Sequence, residues 1–184
     1  MFHYIDIKPD WTTENELRFM CGLALQMGFE DILEIGCWNG RATVHFLQMG
    51  RVTVIDTFEG SNEQVHKEYF RKYGPEALYK EFEGNITNEC QNYDYAWPTI
   101  MRSRSDTALD QLASEGKKFN LIFIDGSHEY EDVKSDIEKA FKLLKKPGVI
   151  FFDDLNWPDV ARAVKESALD VKNYDGKLGF FMYF

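Results

Sequence analysis

Three aspartates stand directly after two apolar segments of the sequence, and together they could hold a cation. Asp125 follows Leu121–Ile124, and Asp153 and Asp154 follow Val149–Phe152. If these segments are neighbouring parallel strands, their carboxyl ends meet at one edge of the sheet, so the three carboxylates should lie within several ångströms of each other. Clustered carboxylates raise each other's pKa values unless a cation or protons compensate them. Oxygen ligands favour a hard cation, Mg²⁺ before Ca²⁺ or Mn²⁺. Any one of these aspartates alone could equally cap a loop.

A second segment that could bind a ligand reads EIGCWNG and spans residues 34–40. Gly36 permits a tight turn and a close backbone approach, and Gly40 lets a following helix pack against the strand. A dinucleotide-binding fingerprint would read GxGxxG. Here Trp38 replaces its second glycine, and the spacing is E-x-G-x-x-x-G with Glu34 as the acid. The segment therefore predicts a ligand other than a dinucleotide, although glycine turns after strands are also common as purely structural features.

Three further residues have side chains that could bind a ligand or transfer a proton. Asp56 ends the second apolar segment, where an acid suits hydrogen bonds to ribose hydroxyls, but it could also cap the strand. His128 stands three residues after Asp125, and a histidine pKa near ~6.5 suits proton transfer around neutrality. An isolated histidine at that place could also be a surface residue. Cys37 has no evident base partner and is interpreted as a packing residue.

Helical and strand patterns alternate along the chain, which predicts a doubly wound α/β fold with a parallel sheet covered on both faces. The predicted strands are 31–35, 52–56, 99–102, 121–125 and 149–153. The predicted helices are one ending at Gly28, then about 40–48, 107–114, 130–144 and 158–167. At the end of the chain, residues 171–174 and 178–184 flank an Asp-Gly turn and predict an antiparallel pair.

The segment 58–98 does not fit a minimal α/β repeat. It is rich in Glu, Lys, Asn and Tyr, with helical patterns at 62–72 and 75–82 and an irregular pattern at 85–94. The chain has no internal repeat and no Pro/Ser-rich linker. We interpret residues 1–184 as a single domain in which 58–98 is an insertion over the mouth of the site.

Composition narrows the function classes. The 184 residues are 44% hydrophobic and 28% charged, as in ordinary globular domains. No run approaches the ~20 apolar residues of a membrane span, and the first residues do not have the pattern of a signal peptide. Cys21, Cys37 and Cys90 are widely spaced without a CxxC pair, which favours a reduced, cytoplasmic compartment. The net charge of −10 disfavours nucleic acid and favours a small-molecule or glycan substrate.

The segment 34–40 resembles motif I of class I S-adenosylmethionine-dependent methyltransferases. The stretch FIDGSHEY at 123–130 and the stretch IDTFEG at 55–60 are similar to the metal-dependent sugar and small-molecule O-methyltransferases, the macrocin O-methyltransferase-like group of methyltransferase domain family 24. The resemblance covers about 31–154. It implies a Rossmann-like, seven-stranded, mainly parallel sheet with a C-terminal antiparallel hairpin strand.

The resemblance also implies roles for individual residues. Asp125, Asp153 and Asp154 would hold Mg²⁺ or another divalent cation, His128 would be the catalytic base, and Asp125 would serve catalysis as well. S-adenosylmethionine would be bound by Glu34, Gly36, Cys37, Trp38, Gly40, Asp56, Thr57, Ser103, Arg104, Ser105 and Asp125. The expected reaction is O-methylation of a hydroxyl of a small molecule or sugar. No nucleic-acid or membrane partner is expected, and the resemblance is compatible with a homodimer.

Two rival functions keep the same fold. An NAD(P)-dependent oxidoreductase is disfavoured because the sequence lacks GxGxxG and ends in an antiparallel pair. A non-catalytic S-adenosylmethionine-binding domain would need neither the three aspartates nor a base. Sugar-modifying relatives often carry N-terminal lid segments, so here we expect Trp11 and the insertion to cover the site. Five aromatic residues could line an acceptor pocket or belong to the core, namely Trp38, Tyr93, Tyr95, Trp97 and Trp157.

Overall fold

The computed structural model of the protein describes residues 2–61 and 63–184. Its strands are β1 Asp31–Ile35, β2 Arg51–Asp56, β3 Thr99–Arg102, β4 Phe119–Ile124, β5 Leu144–Phe152, β6 Lys172–Asn173 and β7 Gly179–Tyr183. Its helices are α1 Glu14–Met27, α2 Arg41–Phe46, α3 Gln64–Tyr73, α4 Ala77–Tyr93, α5 Ser105–Ser114, α6 Tyr130–Leu143 and α7 Pro158–Glu166.

The strands form one sheet in the order β3-β2-β1-β4-β5-β7-β6. The pairs among β1 to β5 are parallel, whereas β7 runs antiparallel to both β5 and β6. The strand order reverses between β1 and β4, and this switch point is where open α/β sheets bind ligands. The predicted fold, a doubly wound sheet with a C-terminal antiparallel hairpin, is confirmed.

The sheet is buried on both faces, because successive side chains of its central strands point into two different apolar cores. In β4, Leu121 and Phe123 belong to the core that contains α1, α2 and α4. Ile122 and Ile124 belong to the core that contains α5, α6 and α7. Successive side chains of a strand point to opposite faces, so an all-apolar strand can fill both cores at once.

The insertion differs from its prediction. The segment 85–94 was predicted to be irregular, but α4 continues through Tyr93 and ends where Asp94 adopts a left-handed conformation with φ 57°. Leu78, Phe82 and Ile86 recur at helical spacing and are fully buried. That packing outweighs the weak helix propensity of the asparagines in this segment. Asn62, the predicted first residue of the preceding helix, lies outside the described residues.

Two other boundaries were also predicted wrongly. Leu144 was assigned to the face of α6, but it is the first residue of β5, which begins five residues earlier than predicted. The helix predicted over 40–48 covers only Arg41–Phe46. No helix in the described part of the chain combines the length and the apolar composition that crossing a membrane requires.

Candidate active site

The loop after β1, residues 36–40 (the glycine loop), lies in close contact with the end of β4. Gly36 has φ +82°, and a Cβ atom there would overlap the carbonyl oxygen of Asp125 and lie 2.6 Å from its carbonyl carbon. The Gly36 N–H donates to the Ile55 carbonyl over 2.9 Å, and the Asp125 N–H donates to the Ile35 carbonyl over 2.8 Å. Only glycine fits here, because both the φ angle and the space exclude a side chain.

Asp56, at the end of β2, fixes the glycine loop. One carboxylate oxygen accepts the backbone N–H groups of Cys37 and Trp38 over 2.8 and 3.0 Å. The other accepts the N–H of Phe58 over 2.7 Å. Trp38 adopts the left-handed region at φ 46°, which these bonds help to hold. The structure therefore gives Asp56 a definite role in shaping the loop, and its contact with a ribose stays a prediction.

Glu34 lies beneath the glycine loop and is 1% exposed. One of its oxygens accepts the hydroxyl of Thr43 over 2.6 Å, and the other has no hydrogen-bond partner. Burial raises the pKa of Glu34 to about 8, against the opposing effect of the Thr43 hydrogen bond. Burial also raises the pKa of the Cys37 thiol well above its usual value, which agrees with the interpretation of Cys37 as a packing residue.

The carboxylates of Asp125, Asp153 and Asp154 (the acidic cluster) come together at the ends of β4 and β5. Each offers a ligand oxygen, and these oxygens lie within 4.8 Å of one another. Burial, together with the Asp153 carboxylate, raises the pKa of Asp125 well above its usual value. Burial likewise raises the pKa of Asp153 to about 6. A cavity of about 10 Å³ beside the cluster is the size of roughly one water molecule.

Lys177, which sequence reasoning missed, also faces the acidic cluster. The ammonium of Lys177 contacts the Asp153 carboxylate and lies 3.5 Å from Asp154 and 3.9 Å from Glu16. Burial acts to lower the pKa of Lys177, but the carboxylates of Asp153 and Asp125 outweigh it and raise that pKa. The sequence offered one sign of this contact. Lys177 is a cation that directly follows the Asp-Gly turn and precedes the apolar segment 178–184.

His128 lies between two carboxylates. Its Nε2 is 2.7 Å from Asp154 and its Nδ1 is 2.9 Å from Glu63. Burial acts to lower the pKa of His128, but the carboxylates of Asp154 and Glu63 outweigh it and raise that pKa. Burial acts to raise the pKa of Asp154, but the contacts with His128 and Lys177 together outweigh it and lower that pKa. Glu63 immediately precedes α3 and was not singled out in the sequence, because nothing local marks its contact with residue 128.

Aromatic side chains flank these polar groups on two sides. Trp157 stacks on His128 with ring centroids 4.3 Å apart. On the glycine-loop side, Trp38 stacks on His66 with centroids 4.4 Å apart, and Trp11 lies 5.2 Å from Trp38. Trp11 and Trp157 are 43% and 40% exposed. Trp11 and His66 of the insertion thus both contact Trp38 of the glycine loop, and the expectation that Trp11 and the insertion cover the site stays a prediction.

The remaining predicted residues directly follow β3 and β2. Ser103 and Arg104 join β3 to α5, and the exposed Arg104 forms ion pairs with Asp106 and Asp132 over 3.5 and 3.4 Å. Ser105 is the first residue of α5. Thr57 follows Asp56, and its hydroxyl accepts the N–H of Glu59 over 3.3 Å. Their contacts with a cofactor stay predictions.

The aromatic residues at the end of α4 form a separate group. Tyr93 and Tyr95 stack with centroids 5.6 Å apart, and Tyr93 also lies 4.5 Å from the ring of His3. Trp97 is 49% exposed. These contacts tie the end of the insertion to the N-terminal segment, whereas Trp38 and Trp157 are the aromatic candidates that contact residues of the site.

Comparison with known proteins decides the family. A family model described as a methyltransferase domain matches residues 33–155, which include the end of β1, the glycine loop and the acidic cluster. The chain belongs to the methyltransferase domain family. The match covers most of the chain, and it confirms the family expected from the segments around residues 34–40 and 123–130. A search of curated proteins found no match to this methyltransferase-family chain.

Solved structures share the fold of this methyltransferase domain. The TDP-rhamnose 3′-O-methyltransferase CalS11, an enzyme in calicheamicin biosynthesis, is 16% identical with a TM-score of 0.60, over 92% of this chain and 81% of that one. The O-methyltransferase NovP is 16% identical with a TM-score of 0.67, over 92% and 78%. An O-methyltransferase from Bacillus cereus in complex with SAH is 18% identical with a TM-score of 0.61, over 98% and 84%.

Proposed function

We propose that this protein is an S-adenosylmethionine-dependent O-methyltransferase that uses a divalent cation to methylate a hydroxyl of a small molecule or sugar. The observation that carries the proposal is the acidic cluster, whose three carboxylates converge beside a glycine loop in a methyltransferase-family fold. Three structurally similar proteins are themselves named O-methyltransferases. A non-catalytic binding domain would have no use for three converging carboxylates.

The glycine loop and the strand ends beside it would bind S-adenosylmethionine, which supplies an electrophilic methyl group on its sulfonium. The loop backbone is held by Asp56, so its conformation is formed before any ligand binds. Asp125 follows β4 directly against Gly36, at the switch point of the sheet where ligands of this fold class bind. Ser103 and Arg104 would lie on the adenine side and Trp38 on the methionine side.

The acidic cluster fits a hard cation. Ligand oxygens on opposite sides of one ion lie up to about 4.2 Å apart for Mg²⁺ and about 4.8 Å apart for Ca²⁺. The oxygens of Asp125, Asp153 and Asp154 lie within 4.8 Å of one another, close enough for one hard cation, Mg²⁺ or Ca²⁺, to contact all three. Such an ion would lower the pKa of an acceptor hydroxyl and fix its orientation.

His128 would take the proton of the acceptor hydroxyl. Its contacts with Glu63 and Asp154 involve both ring nitrogens and favour the doubly protonated ring. It must therefore release Asp154 and lose the Nε2 proton to solvent before it can accept a proton from the acceptor. Because Glu63 lies beside Nδ1, Nε2 is the nitrogen that faces Asp154 of the acidic cluster. In the transfer, the acceptor oxygen bonds to the methyl carbon, the methyl–sulfur bond breaks, and the acceptor proton goes to His128.

The acceptor would lie between the insertion and α7. Glu63 and His66 come from the insertion, and Trp157 stacks on His128 from the start of α7. Aromatic faces beside charged groups suit a ring with adjacent hydroxyls, as in a catechol or a sugar. We propose that residues 58–98 are the acceptor-side lid of a single domain.

The test is methyl transfer by Asp154→Ala, with Asp159→Ala as the control for an exposed aspartate nearby on α7. Transfer from radiolabelled S-adenosylmethionine is measured on a panel of catechols and sugars, with MgCl₂ or EDTA. We expect Mg²⁺-stimulated transfer in wild type and Asp159→Ala and at least a ~100-fold loss in Asp154→Ala. Calorimetry should give similar S-adenosylmethionine affinity for all three proteins. Full activity in EDTA, or in Asp154→Ala, contradicts the metal role.

A further inference from the structure

Lys177 brings a positive charge into the acidic cluster from the C-terminal hairpin. Its ammonium contacts Asp153 and lies within ion-pair distance of Asp154 and Glu16. The Asp153 side chain is 2% exposed and that of Glu16 is 1% exposed, whereas that of Lys177 is 25% exposed. A cation that compensates buried carboxylates is therefore already present within the chain.

The backbone holds Lys177 in this position. Asp175 accepts the N–H groups of Lys177 and Leu178 over 3.0 and 2.8 Å. The Lys177 carbonyl accepts the N–H of Leu155 over 2.8 Å, which ties the hairpin to the loop that carries Asp154. Leu178 is fully buried. The lysine is thus fixed at the cluster by its neighbours, unlike a flexible surface lysine.

An ammonium and a divalent cation cannot both bind closely to the same two carboxylates. A metal ion bound by Asp153 and Asp154 would lie a few ångströms from the Lys177 ammonium, where like charges repel. Each cation satisfies the same need, because a cluster of buried carboxylates is costly without compensating charge. The charge balance therefore makes the two cations alternatives.

We propose that Lys177 is a built-in counter-cation that stabilises the acidic cluster in the metal-free protein and competes with the divalent cation for Asp153 and Asp154. This inference rests on the proposed metal site. Lys177 would then set the metal affinity, so a change at the tip of the C-terminal hairpin would alter metal binding.

The experiment measures Mn²⁺ binding, with no methyl donor or acceptor present, by calorimetry and by the electron paramagnetic resonance signal of free Mn²⁺. Four proteins are compared: wild type, Lys177→Met, Lys177→Arg and Lys172→Met. Lys172 lies on the same hairpin and is exposed, so it controls for the loss of a lysine. We expect Lys177→Met to bind Mn²⁺ at least about tenfold more tightly than wild type, which is about 1.4 kcal/mol. Lys177→Arg and Lys172→Met should stay close to wild type.

A second readout is thermal unfolding, followed by circular dichroism in EDTA and in MnCl₂. In EDTA, Lys177→Met should unfold at a lower temperature than Lys172→Met, because Asp153 then lacks its cation. MnCl₂ should restore more of the melting temperature in Lys177→Met than in wild type.

The outcomes separate this inference from the metal proposal. Equal Mn²⁺ affinity in wild type and Lys177→Met overturns the competition but leaves the metal site intact. Absence of Mn²⁺ binding in all four proteins overturns both. Binding by Lys177→Met alone supports the competition and shows that the lysine outcompetes the metal in wild type.

Discussion

Replacing Gly36 by alanine tests how the site is assembled, because the residue after β1 lies directly against the backbone that follows β4. The added Cβ would overlap the Asp125 carbonyl oxygen and lie 2.6 Å from its carbon and 2.8 Å from the Cα of Gly126, where real Cβ atoms rarely approach within 3.0 Å. These neighbours are backbone atoms, so no side-chain rotation relieves the overlap. The ends of β1 and β4 must therefore move apart.

The expected loss of stability follows from two contributions. Alanine at φ +82° costs about 1–2 kcal/mol relative to glycine. Separating the strand ends weakens the bonds from Gly36 to Ile55 and from Asp125 to Ile35, at about 1 kcal/mol each. The free energy of unfolding should fall by at least about 3 kcal/mol, in the range that buried steric conflicts produce.

Gly28→Ala is the matched control. Gly28 also has a positive φ, +67°, but nothing lies within 4 Å of its added Cβ, so only the backbone cost of about 1–2 kcal/mol applies. Urea unfolding of both variants and wild type is the assay. With a slope near ~2 kcal/mol/M, the midpoint of Gly36→Ala should lie roughly 1 M below that of Gly28→Ala. Equal midpoints would refute the close contact with the Asp125 backbone as the reason for glycine at residue 36.

Two further predictions concern Glu63 and Glu34. Glu63→Gln should lower kcat at least about tenfold with little change in S-adenosylmethionine affinity, because it loses the charge that orients His128. Glu68→Gln, exposed on the helix that follows Glu63, should behave as wild type, and equal kcat in both variants would exclude the role of Glu63. With its pKa raised to about 8 from 4.5, Glu34 keeps its proton in the folded state and releases it on unfolding, so it adds stability below pH 4.5 that is lost as pH rises toward 8. The free energy of unfolding, measured by urea titration between pH 5 and 8, should therefore decline less steeply in Glu34→Gln than in wild type, by up to ~1.4 kcal/mol per pH unit. Parallel declines would contradict a buried protonated Glu34.

The local pattern of apolar residues was sufficient to predict the fold class and the convergence of the three carboxylates in the acidic cluster. The apolar runs before Asp125 and Asp153 could be identified as central strands because a strand buried on both faces has no polar alternation. Once those strands are neighbours, parallel pairing alone brings their terminal carboxylates together. The observed register agrees, since Ile124 pairs with Phe152 and the next residue of each strand is an aspartate.

The interior of the insertion could not be predicted in the same way. Its asparagines argue against a helix, and only the burial of Leu78, Phe82 and Ile86 against the rest of the domain stabilises α4 through Tyr93. Helices gain most of their stability from such tertiary packing, so local composition gave the wrong answer here.

The local apolar pattern is enough to show which residues of β1, β2, β4 and β5 end at the site. The charges that surround those residues depend on long-range packing. Lys177 reaches Asp153 because Gly179 pairs with Phe152 in the antiparallel β5–β7 ladder, a register that no local pattern specifies. Glu63 reaches His128 for a similar reason, since the path of the insertion depends on long-range packing. The acidic cluster was therefore predictable, and its counter-cation was not.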